Sequence, residues 1–123
     1  MNPRRLAGLL AVGRVALGTA VLLAPEQVTS RWLGDHARHP AVRYLAHSLG
    51  ARDVALGALA LSTLADGPRA AQVQLACAGA DAADAVATLA ARSELPTVGA
   101  IGTVAVAGGA ALAELYLARA LVS

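Results

Sequence analysis

Six ionisable side chains, Arg14, Arg52, Asp53, Asp81, Asp84 and Glu114, fall within stretches that are otherwise apolar and long enough to span a bilayer. Charges so placed are costly to bury and face a bundle interior or a wet cavity, so they nominate a polar site. Asp81 and Asp84 stand on adjacent helical turns, and with Gln74, Cys77 and Thr88 they form one stripe at spacings of three or four. Burial and mutual repulsion both favour the neutral acid, and such a pair can carry a proton, bind a cation or act as general acid or base. Arg14 and Gly18 share a stripe of one helix, and Gly50, Asp53, Gly57 and Ala60 share a stripe of the next. Glycines there let two backbones approach, which seats an ion pair between Arg14 and Asp53. In the whole set, two arginines face four acids. The surplus negative charge requires protonation, a bound cation, charge on His47, or rotation of Glu114 out toward Arg119.

Four apolar segments must position these groups, at 6–24, 42–65, 71–91 and 97–121. At about 20 residues and a rise of ~1.5 Å per residue, each matches a hydrocarbon layer of ~30 Å. Pro25, Asp66-Gly67-Pro68 and Arg92-Ser93-Glu94-Leu95-Pro96 punctuate them. The two short connections make their neighbours antiparallel. In the longer first connection, Pro25, Val28, Trp32 and Leu33 have the spacing of a short helix stopped at Gly34, with one apolar face suited to a membrane surface. Trp32, Tyr44 and Tyr116 lie near span ends, where amphipathic rings favour the headgroup layer.

The apolar fraction of 57% with 15% charged residues points the same way, as does the use of Ala, Leu, Val and Gly in place of Phe, which is absent. The sequence thus predicts an all-α fold: a single 1–123 domain forming a four-helix transmembrane bundle with up-down connections and a short interfacial helix between the first two spans. Its expected place is the cell membrane, integral and multi-pass, with the lipid bilayer as partner and a homo-oligomer or membrane-protein partner as further associations. The arginines flanking the spans tie at four against four, so orientation is undetermined. Met1-Asn2-Pro3-Arg4-Arg5 before an apolar run imitates a signal peptide, but Arg14 interrupts the run and marks it as a retained span.

A formal charge of +2 without a basic stripe argues against nucleic acid. Cys77 is the only cysteine, so no intrachain disulfide or Cys-based zinc site can form. Asp35-His36-Ala37-Arg38-His39 lacks helical His spacing and contains a competing arginine, so no metal is assigned. Phosphate loops, nucleophile elbows and metalloprotease patterns are absent, and no cofactor is implied.

Gly13-Arg14 with Gly18, Pro25, Trp32-Leu33-Gly34, Gly50-Ala51-Arg52-Asp53 with Gly57, and Asp81 with Asp84 together give the chain its outward likeness. It resembles an actinobacterial family of small uncharacterised four-span integral membrane proteins, over most of its length. That resemblance implies a membrane bundle and brings no activity. Three function classes follow: a structural or accessory membrane protein with a buried Arg/Asp cluster, a proton-coupled or cation-binding small carrier, and a small membrane enzyme acting on a lipid or terpenoid by acid/base chemistry.

Overall fold

Helix boundaries in this chain are set by proline and by short polar caps. The computed structural model describes residues 1–123 and contains five α-helices: α1 (Pro3–Leu23), α2 (Pro25–Leu33), α3 (Pro40–Thr63), α4 (Gly67–Ala90) and α5 (Thr97–Ala120). Two single turns of 3-10 helix, Gly34–Arg38 and Arg92–Glu94, join them. Proline occupies the first turn of α1 to α4, where its missing N–H is no loss and its fixed φ suits a helix. Asn2 Oδ1 accepts from the Arg4 amide at 2.9 Å, His39 Nδ1 from Ala41 at 3.2 Å, and Asp66 Oδ1 from Arg69 at 3.2 Å. Each satisfies an amide that the first turn leaves without a partner. Gly34, at φ +59°, ends α2 in a conformation that L side chains rarely adopt.

Packing is concentrated in two antiparallel pairs, α1 with α3 and α4 with α5, and α2 crosses onto both α1 and α5. The α1–α3 seam is built from small residues. A Cβ added at Gly18 would lie 2.6 Å from the Gly50 carbonyl oxygen, and one at Gly57 would lie 2.8 Å from that of Ala11. Contacts this close lock the register of the two helices. They lie one turn before and after Arg14 on α1, and likewise around Asp53 on α3.

This architecture corrects the expected four-helix transmembrane bundle. Only α1 and α5 combine the length, hydropathy and low charge of a membrane span. Arg43, Arg52 and Asp53 on α3, and Arg69, Asp81, Asp84 and two glutamines on α4, stand among alanines that add little hydropathy. Two such helices are weak grounds for a membrane protein, since core helices and leader segments have the same character. The apolar side chains do not form a bundle core: Leu9, Leu17, Val98, Ile101 and Leu112 are among many large ones left exposed, while the largest buried cluster is small, built on Ala11, Ala60, Val73 and Cys77. The multi-pass location in the cell membrane, and the lipid bilayer as partner, lose their support. The α2 segment, expected on a membrane surface, instead packs on its neighbours, and Trp32 meets α5 so closely that a Cβ at Gly99 would lie 2.5 Å from its Cα.

Candidate functional site

Close approach of α1 and α3 delivers the Arg14 guanidinium to the middle of the molecule, where three helices supply it with carboxylates. Nη1 donates to Asp53 Oδ1 of α3 at 3.1 Å, and Nη2 donates both to Asp81 Oδ2 of α4 at 2.6 Å and to Glu114 Oε1 of α5 at 2.8 Å. These four side chains are almost fully enclosed, at 3 to 11% exposure. A second arginine stands beside them. Arg52 donates from Nη1 and Nη2 to the two oxygens of Asp84 at 3.0 and 2.7 Å, and from Nε and Nη2 to Asp53 Oδ1 at 3.3 and 3.1 Å. That half of the network is wetter, with Arg52 and Asp84 about one-third exposed.

Six of the seven residues nominated from sequence therefore meet in one network, and His47 does not join it. It is exposed on α3, and its side chain joins none of the ion pairs. The anticipated Asp81–Asp84 dyad is divided, because each acid faces a different arginine. Glu114, which could have turned toward Arg119, points inward instead.

Electrostatics follow from this enclosure. Burial pushes the Glu114 carboxyl up to about 7, Arg14 pulls against the rise, and the charge of Asp81 adds to it. Asp81 is raised for the same first reason, again opposed by Arg14. Burial works against the charge on Arg14, but its bonds to Glu114 and Asp81 outweigh this and hold its pKa above the ordinary arginine range. Arg52 is held above that range chiefly by its bonds to Asp84. Desolvation lifts the Cys77 thiol to about 11, which keeps it protonated and poorly nucleophilic.

Above the network opens a cleft of about 1130 Å³. Its walls are apolar: Leu9, Leu10 and Leu17 from α1, Val28 and Trp32 from α2, Val98 and Val106 from α5. Its floor is Arg14, Asp53, Asp81, Asp84 and Glu114, with Gln27, Arg31, Thr88 and Thr103 as further polar lining. The Thr88 hydroxyl is already committed, donating to the Asp84 carbonyl at 2.8 Å. No group of three or more His, Cys, Asp or Glu side chains is arranged to hold a metal ion. The part played by α2 was missed from sequence, where Trp32 was placed in a headgroup layer. The apolar face of α2 was the available signal, and it turns toward this cleft.

Comparison with protein-family models, with curated proteins and with solved structures finds no match. The likeness to an actinobacterial four-span membrane family therefore has no support, and with two span-like helices in place of four the membrane versions of the structural, carrier and enzyme readings fall together.

Proposed function

We propose that this chain is a small-molecule binding domain, whose cleft takes a ligand that is mostly apolar and carries a polar head directed at the charged floor. The carrying observation is the cleft itself. Its volume of about 1130 Å³ is at or above the size of sites for drug-sized ligands, ~300–1,000 Å³, which are likewise apolar with a few convergent polar groups. Arg14, Arg52, Asp53, Asp81, Asp84 and Glu114 form the head-group end of the proposed site.

Trp32 is the only tryptophan and lines the cleft, so its fluorescence reports occupancy. Gly102 also lines the cleft, and an added Cβ there meets no atom within 4 Å. Gly102→Leu is therefore expected to narrow the cleft, its first side-chain atom standing clear of every neighbour. Titration with decanol is expected to change Trp32 emission saturably in the native chain and to require at least about tenfold more ligand in Gly102→Leu. Identical titrations of the two proteins would place the alcohol on the exposed exterior and overturn the reading.

A further inference from the structure

The floor of the cleft is unequal in its hydrogen bonding. All three guanidinium contacts to Asp53 fall on Oδ1, Asp81 accepts through Oδ2 alone, and Glu114 accepts through Oε1 alone. No arginine N–H reaches Asp53 Oδ2, Asp81 Oδ1 or Glu114 Oε2. Asp84, by contrast, has both oxygens occupied by Arg52. The Glu114 residue is 2% exposed, and its Oε2 is one of only two buried side-chain oxygens or nitrogens in the protein that lack a partner. Native proteins rarely leave such an atom unsatisfied, because it has lost its water and gained nothing in return.

These three residues are held by the same guanidinium, and all three line the base of the cleft. All three accept when their carboxyls are ionised. The floor carries four carboxyl groups against two arginines, so with all four ionised it is short of positive charge. A ligand head that answers both deficits must be a donor and a cation. A primary ammonium has three N–H donors, no acceptor and one positive charge. A hydroxyl would offer one donor and no charge, and a carboxylate would meet repulsion.

We propose that the cleft is a site for apolar primary amines, with the ammonium seated on Asp53, Asp81 and Glu114 and the hydrocarbon lying along α1, α2 and α5. This assignment rests on the binding reading above. It adds the chemical class of the head group.

The test compares decylamine, decanol and decanoate, which share one chain length, by Trp32 fluorescence near neutral pH with calorimetry as a second readout. Decylamine is expected to bind about 10- to 100-fold more tightly than decanol, the difference associated with a charge-assisted hydrogen bond, and decanoate more weakly than either. Glu114→Gln keeps the shape of the side chain and removes its charge. It is expected to erase at least about tenfold of the preference for the amine over decanol, and an unchanged helical circular-dichroism spectrum with a cooperative thermal transition shows that the variant is folded. Asp53→Asn supplies a second, independent variant with the same expected direction. If decanol or decanoate binds as tightly as decylamine, the amine assignment is wrong and the binding reading stands. If none of the three binds saturably, the binding reading itself fails.

Discussion

Arg14 donates to carboxylates on three other helices, whereas Arg52 bonds Asp84 on one neighbouring helix and its own sequence neighbour Asp53. The two arginines should therefore differ in weight. Removing Arg14 leaves three enclosed acids short of a donor, and Arg14→Leu is expected to cost about 3–5 kcal/mol in urea denaturation, the range for breaking a buried ion pair. Arg52 and Asp84 are about one-third exposed, so solvent screens them and Arg52→Leu should cost about 1 kcal/mol or less. Equal losses would mean that burial does not set the strength of this network. Glu114 carries a pH signature. Its folded pKa of about 7 lies above its ordinary 4.5, so folding favours the neutral acid. That contribution is complete below the ordinary value and is lost as pH rises through about 7. Glu114→Gln should accordingly be near neutral around pH 5 and stabilising by roughly 2–3 kcal/mol around pH 9. The same proton competes with an ammonium. Arg14 on α1 and Asp81 and Cys77 on α4 face it, and Asp53 and Arg52 on α3 and Asp84 on α4 complete the network around them. Among them Glu114 and Asp81 have raised values, so decylamine affinity is expected to fall as pH drops below 7, by up to about tenfold per pH unit for each proton displaced.

At the scale of the helix, the glycines divide into two kinds that sequence alone does not distinguish. A Cβ at Gly18 would press on backbone, 2.6 Å from the Gly50 oxygen and 2.9 Å from the Val54 nitrogen, whereas one at Gly79 or Gly108 meets nothing within 4 Å. Backbone cannot swing aside. Gly18→Ala should force α1 away from α3 and cost about 1–3 kcal/mol, while Gly79→Ala and Gly108→Ala should stabilise by about 0.5–1 kcal/mol through helix propensity. Chemical denaturation of the three variants checks the sign. The stripe of Gly18, Gly50 and Gly57 beside Arg14 and Asp53 was readable because a 3.6-residue period fixes which side chains share a face. Breaks at Pro25, Asp66 and Pro96 were readable from the demands of capping and of proline. The partner of Glu114 was not, since α5 is Ala, Gly and Val nearly all round and offers no polar face to fix its rotation about its axis. The partition of Asp81 and Asp84 between two arginines was hidden for a related reason. Intrahelical spacing predicts neighbours on α4, but the tilt of α3 and α1 decides which neighbour each acid meets.

For the whole molecule, apolar composition proved a poor guide because it does not say which way side chains face. Much of the hydrophobic count sits outside, and the enclosed centre is built from small residues around an ionic network. The network also spans the boundary between the two helix pairs. Packing within α1–α3 and within α4–α5 is extensive, that between α3 and α4 is thinner, and α1 touches α5 at few places. Arg14 and Arg52 reach from the first pair to Asp81, Asp84 and Glu114 in the second. Without those bonds the two hairpin-like halves would have little cause to open together. The protein should therefore exchange its core amide hydrogens as one cooperative unit, with α1, α3, α4 and α5 sharing a common opening free energy. In Arg14→Leu the halves should separate into two classes of protection. The charged centre then sets the size of the unit that unfolds, and two weak hairpins behave as a single domain because both bases lie on one side of the divide and three of the four acids on the other.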